Sequence, residues 1–375
     1  MIETQALDTP VAFDNGPAKS QHLLEAEPLG KLREQLVASM RGSKVAIPDF
    51  QQMLNHWLVA VHPDAVRLSE KAWHWLESTL SSPEDEKRLR WLKACNIDSL
   101  AASWWPYARF EALLVVTYMS IWLFAWDDET DSQEFSSLVD NFEKASSFRA
   151  ETIRYLEAAL SSSADDLDVA GVSAHRLITN FRPIGEAFRE SCDDRQVEVF
   201  LRELRFFVEM TEEEHKLQTT RSLPTIEQYN RRRMGSSATR VCLALQEYAL
   251  GIQLPREVME SDAMRTIWHE SNVIISTCDQ GQVDTLIPLL SLKLGSVQAA
   301  VNEAADMVRS SIRRFEAAER DLLESQSSAP GTQENVRKFI EGCKYACTAN
   351  MNWSLSTGRY KLNIDSTRGG IYITL

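Results

Sequence analysis

The chain has 375 residues, 44% hydrophobic and 25% charged, a composition that excludes wholesale disorder and provides for one large core. With 54 acidic against 40 basic residues, its formal charge of −14 opposes an electrostatic grip on nucleic acid or on an anionic membrane surface. An anionic substrate would therefore need local compensation, from metal ions or from an arginine cluster.

Residues 1–45 carry Pro10, Gly16, Pro28, Gly30 and Gly42 among polar neighbours and read as a loosely ordered leader, with no secretory signal. Helical periodicity dominates from there on. The segments 50–62, 69–81, 134–147, 197–217, 297–323 and 334–355 each place apolar residues at three- and four-residue steps. The run Ala112–Trp126 has only Thr117 and Ser120 as polar members and is shorter than a bilayer span, so it reads as a buried helix. Residues 325–335, "SQSSAPGTQEN", read as a loop between the last two long helices. Strand signals are nearly absent. The expected architecture is all-α, one helical domain over 46–375.

The six cysteines are scattered without a CxxC pair and read as reduced thiols of a cytoplasmic protein. Cys343 and Cys347 share a helix face, but no histidine lies nearby in sequence, so packing is expected rather than zinc. Monomer and homodimer both remain open.

The stretch with most chemistry in it is "SIWLFAWDDETDSQEF", Ser120–Phe135, where an apolar helix runs into four acids within five residues. On a helix Asp127 and Asp131 lie one turn apart on one face, and Asp128 lies about 100° round from Asp127. Converging carboxylates suit Mg²⁺, which takes few protein ligands and completes its octahedron with water and phosphate oxygens. The plain alternative is a solvated acidic helix end. Phe124, Leu123 and Ser120 lie on the face of Asp127 and would line the space beneath it.

"DDETD" after an aromatic helix resembles the first metal motif of class I terpene cyclases, and three further stretches agree in order. "PTIEQYNRRRMGSSA" (Pro224–Ala238) looks like the helix carrying a diphosphate-sensing arginine. "LGIQLPREVMESDAMRTI" (Leu250–Ile267) looks like the segment after it, and "NWSLSTGRY" (Asn352–Tyr360) like the C-terminal Arg-Tyr pair. The similarity spans roughly 50–362 and is closest to the fungal sesquiterpene cyclases. It implies Mg²⁺, up to three ions with the substrate diphosphate, and farnesyl diphosphate as substrate. It also implies metal ligation by Asp127, with Asp128 and Asp131 assisting, and a diphosphate held by Arg233, Arg359 and Tyr360. Arginine offers phosphate a planar pair of donors, and aromatic faces such as Phe124 and one of "SWWPY" stabilise a carbocation in a dry pocket. Arg231, Arg232 and Arg233 fan round their helix, and counting from Tyr229 favours Arg233.

The resemblance breaks at the second metal motif. In "SNVIISTCDQGQVDTLIPLL", Asn272, Ser276 and Gln280 reproduce the family's spacing with an amide where an anion belongs, whereas extending the upstream match puts Asp279 first. The two matches fail to meet by about ten residues, as if most of the motif had been removed near Cys278–Gly281. Two function classes follow: a lyase that ionises and cyclises farnesyl diphosphate, or a catalytically silent relative. A chain-elongating synthase would need a second Asp-rich motif, which "SADDLDVA" and "SCDDRQVE" do not supply, and a protonation-initiated cyclase would need a DxDD run.

Overall fold

The computed structural model describes residues 29–82, 85–161, 169, 171–220, 222–277, 285–327, 329–359, 364–365 and 371–374. Along most of this length the periodic apolar spacing becomes helix. The helices of five residues or more are α1 (Leu29–Met40), α2 (Ala65–Thr79), α3 (Glu86–Ala94), α4 (Ile97–Trp104), α5 (Phe110–Asp131), α6 (Phe142–Leu160), α7 (Arg182–Ser191), α8 (Asp194–Thr219), α9 (Ile226–Ser236), α10 (Thr239–Ala244), α11 (Gln246–Leu250), α12 (Asp262–Thr277), α13 (Leu286–Leu294), α14 (Val297–Ser325) and α15 (Pro330–Ser356).

Helix α5 has almost no polar face until its last turn, and it takes the central position that such a sequence demands. Leu113, Val116, Met119, Ile121 and Trp126 are fully buried, with α2, α3, α4, α7 and α11 packed around them. The helix is longer than the apolar run within it, and by length and composition alone it would qualify as a membrane span; here most of it is enclosed by protein, as in a core helix. Its indoles are satisfied as well as buried. Trp122 Nε1 donates to the Leu177 carbonyl at 2.6 Å and Trp126 Nε1 to Thr152 Oγ1 at 2.9 Å, while the Trp126 ring lies 5.2 Å from Phe207. Burying each such ring contributes about 1.5–3 kcal/mol. The result is a rigid stem that delivers the acidic turn to one end of the bundle.

The arginine-bearing helix α9 starts at a capping box, in which Thr225 accepts from the Gln228 amide and Gln228 reaches back to Thr225 N. It presses closely on α8. A Cβ on Gly235 would sit 2.4 Å from Met210 Cγ, so only glycine permits this approach. The chain then breaks at Ala238, which adopts a left-handed φ of 56°, before α10.

Several expectations need correction. Part of the segment read as a loose leader is regular: α1 and a strand β1 (Lys44–Ile47) lie within or across 29–47, while residues 1–28 are outside the described set. Strand β1 pairs antiparallel with β3 (Ile371–Thr374), which also pairs with β2 (Ile364–Asp365). These partners come from opposite chain ends and are too short for alternation to signal them. Of 50–62 only Phe50–Met53 is helical; the chain then turns over 54–57 and runs without regular structure to Pro63, fastened by His62 N to the Ala102 carbonyl at 2.9 Å. Helix α6 begins only at Phe142, where Asn141 caps the Lys144 amide at 3.0 Å. Of the segment read as a loop, Ser325 ends α14 and Pro330–Asn335 belong to α15, with Pro330 and Gly331 in its first turn.

Candidate active site

The C-terminal turn of α5 carries the three predicted aspartates, and three separate elements converge on them. From the end of α15, Arg359 reaches the turn with Nη2 at 3.4 Å from Asp127 Oδ2 and Nη1 at 3.2 Å from Asp128 Oδ1. From α3, Trp91 Nε1 donates to the other Asp128 oxygen at 3.0 Å. From α8, Gln218 Nε2 donates to Asp131 Oδ1 at 3.0 Å. Beneath Arg359 lies the Phe124 ring, 4.8 Å from the guanidinium carbon, with Trp353 edge-on to it. Phe124 therefore holds the arginine by a cation–π contact as well as facing the site.

The three acids are not equivalent. Asp128 is 5% exposed and both of its oxygens are engaged, so it faces protein donors. Asp127 and Asp131 are only partly buried. Burial and then the neighbouring Asp131 push the Asp127 carboxyl up to about 8, against the pull of Arg359. Asp128 is also raised by burial, with Arg359 and Trp91 holding it down. Among the described residues no three His, Cys, Asp or Glu side chains form a ready metal cage. Two carboxylates that repel each other across a shared space do fit a divalent cation that takes the rest of its shell from water and substrate phosphate.

On α9 the three arginines separate as the helical fan requires. Arg231 is exposed and Arg233 partly buried, its charge acting on the Tyr229 phenol. Arg232 is only 2% exposed; it pairs with Glu214 of α8 at 3.5 Å, and its Nε and Nη1 have no hydrogen-bond partner among the described residues. Glu214 in turn acts on the Asp127 carboxyl through its charge. Sequence counting favours Arg233 and gives no sign that its neighbour is the buried one.

The second-motif candidates divide. Asn272 is fully buried on α12, where its Nδ2 donates to the Met234 carbonyl at 3.0 Å and its Oδ1 accepts from Ser237 Oγ at 3.4 Å. Its amide thus staples the break between α9 and α10. Ser276 is buried one turn further on, and α12 ends at Thr277. Asp279, Gln280 and Tyr360 lie outside the described residues. A surface groove of about 550 Å³ beside Glu129, Asn141 and His175 contains none of the predicted site residues. Trp91, Gln218 and Glu214 escape notice in the sequence because each looks like an ordinary member of an amphipathic helix.

A family model described as terpene synthase family 2, C-terminal metal binding, matches residues 118–314, more than half of the chain. The chain belongs to this terpene synthase family. The sesquiterpene cyclase hepA of Aspergillus oryzae is 30% identical over 346 residues, covering 88% of this chain and 92% of that one. The sesquiterpene synthase Agr1 of Cyclocybe aegerita is 25% identical over 346 residues, with the same coverage of 88% and 92%. Among solved structures, hedycaryol synthase in complex with nerolidol superposes with a TM-score of 0.68 at 17% identity, over 82% of this chain and 99% of that one, which shows the shared class I helical fold. The protein is accordingly a terpene cyclase, a lyase that converts a prenyl diphosphate to a cyclic terpene with the aid of divalent metal.

Proposed function

We propose that the enzyme ionises farnesyl diphosphate in the presence of Mg²⁺ and closes the resulting cation into a cyclic sesquiterpene. The observation that carries this reading is the meeting of Arg359 with Asp127 and Asp128, brought together from more than 230 residues apart. Bound Mg²⁺ would neutralise the diphosphate and so make it a leaving group. Asp127 is the principal carboxylate for it, Asp131 the second, and Asp128 an acceptor that orients Arg359. Arg359 exchanges its grip on the acids for the diphosphate as that group arrives, with Tyr360 beside it in sequence as a further donor. Arg233 is the sequence-favoured diphosphate ligand of α9, and Arg232, whose Nε and Nη1 have no partner among the described residues, is a second candidate. Phe124 keeps an aromatic face next to the ionising carbon.

The catalytic domain in this reading covers about 46–375. A cytoplasmic location also belongs to it: burial pushes the Cys95 thiol up to about 11 and Cys242 up to about 12, where they stay inert.

Substrate length is tested by comparing kcat/KM for geranyl, farnesyl and geranylgeranyl diphosphates. Farnesyl diphosphate should lead by roughly tenfold or more, the discrimination that a few methylenes give in a shaped apolar pocket. A clear preference for another length would overturn the assignment. One observation favours a second reading, a silent relative: the amide of Asn272 is engaged on both atoms at the helix break, which leaves the first position of that register a single free lone pair on Oδ1. Sequencing the transcript across codons 270–290 separates the two. An intact Asn/Ser/Glu triplet in the message would restore the second motif, and its absence would leave the metal site resting on the first.

A further inference from the structure

Helix α3, nine residues long, touches both halves of the site. Arg88 and Trp91 stand three residues apart on one face of it and grip the acidic turn: Arg88 pairs with Glu129 and donates to the Phe135 carbonyl at 3.0 Å, and Trp91 donates to Asp128 Oδ2. The C-terminal end of the same helix is the seat of the segment that carries Arg359. The Ala94 carbonyl accepts from Gly358 N at 3.2 Å, and the Cys95 carbonyl accepts from Trp353 Nε1 at 2.6 Å and Thr357 Oγ1 at 2.9 Å. A Cβ on Gly358 would lie 2.8 Å from the Ala94 oxygen, so the segment is seated as closely as backbone allows. One short helix thus fixes the acidic turn at one end and the arginine at the other.

From this bracket we infer that Trp91 is a positioning residue of the terpene cyclase: by holding Asp128 Oδ2 it turns that carboxylate away from the metal and leaves Oδ1 to orient Arg359. Asp128 receives a donor on each oxygen, one from α3 and one from the C-terminal segment, and so works as a buckle between them. The indole N–H sets the spacing between Arg359 and Asp127 across which the diphosphate must fit. Nothing in this requires Trp91 to touch substrate. The inference rests on the proposed assignment of the acidic turn and Arg359 to diphosphate and Mg²⁺.

The test is a double-mutant cycle read by calorimetry with inorganic diphosphate and Mg²⁺, using the full chain. Trp91→Phe keeps the ring against Phe135 and removes the donor; Asp128→Asn keeps the shape and removes one acceptor site. Each should weaken diphosphate binding roughly tenfold, the size of one charge-assisted hydrogen bond, and the double variant should be no weaker than the worse single one. Turnover should follow in kcat/KM, with KM for the prenyl substrate raised along with the diphosphate affinity loss, and Trp91→His, which restores a ring N–H, should recover most of the loss. Trp75→Phe, the same change at an indole stacked on Tyr118, should leave binding unaltered. Additive losses in the cycle, or Trp91→Phe binding like the wild type, would overturn the positioning role alone. If Trp91→Phe fails to fold, Trp91→Leu takes its place in the cycle, and additive losses there would overturn the role equally. A wild-type enzyme that binds no diphosphate with Mg²⁺ would overturn both this role and the site assignment beneath it.

Discussion

Metal uptake by this enzyme should release a proton, and the structure gives the size of the effect. Asp127 sits partly buried beside Asp131, with Arg359 at 3.4 Å offsetting only part of the repulsion, and its carboxyl is pushed up to about 8 from an ordinary value near 4. A group one unit above the ambient pH is about nine-tenths protonated, so at pH 7 most metal-free molecules carry that proton. A divalent cation needs the ionised form, so binding must expel it. Apparent affinity should therefore rise roughly tenfold per pH unit toward pH 8 and flatten above it. Mn²⁺, which shares the preference for carboxylate oxygen, can be followed by the loss of its free paramagnetic signal from pH 6 to 9. Calorimetry at pH 7 in buffers of different protonation enthalpy should give between about half and one proton released per ion, and clearly less in Asp127→Asn. An affinity flat from pH 6 to 8, or a proton release undiminished in Asp127→Asn, would refute the reasoning.

The same raised carboxyl has a stability consequence. Because its folded value lies above its unfolded one, charging Asp127 costs stability as pH rises from about 4 toward 8, so Asp127→Asn should raise the Tm of metal-free protein at pH 8 by about 3 °C and leave it unchanged near pH 4. In turnover the order reverses: Asp127→Asn should lose on the order of 100-fold or more and Asp131→Asn nearer tenfold, and equal small losses would sink the metal assignment. Asn272→Ala removes the staple at the α9–α10 break and should cost about 2–4 kcal/mol in denaturant unfolding while Mn²⁺ affinity holds; the converse pattern would make Asn272 a ligand after all. Arg232→Lys should weaken diphosphate binding more than Arg233→Lys, since Arg232 is the buried one and its Nε and Nη1 have no partner among the described residues, and isothermal titration with inorganic diphosphate decides between them.

What the sequence reveals and what it hides follows the range of the physics involved. The apolar stretch of α5 announces its own burial, and the acids at its end announce their chemistry, because both signals are local. The capping box before α9 is equally local, as is the fan of three arginines, although which of them turns inward depends on the packing of Gly235 against Met210. The three-stranded sheet is invisible because β1 and β3 are four residues each, from opposite ends of the chain. The partners of the aspartates are hidden for a related reason. Trp91 lies 37 residues from Asp128, and Gln218 lies 87 from Asp131, on helices whose patterns look ordinary. Asn272 shows what spacing alone leaves out, since the amide at the motif's first position also donates to the backbone of another helix.

The most direct test is to incubate the purified enzyme with farnesyl diphosphate and Mg²⁺ and to analyse an organic overlay by gas chromatography and mass spectrometry, with chelator and Asp127→Asn alongside. The account predicts cyclic sesquiterpene from the wild type, abolished by chelator and nearly so by the variant. Folded wild-type protein that yields no cyclic product, or a product indifferent to chelator and to Asp127→Asn, would contradict it.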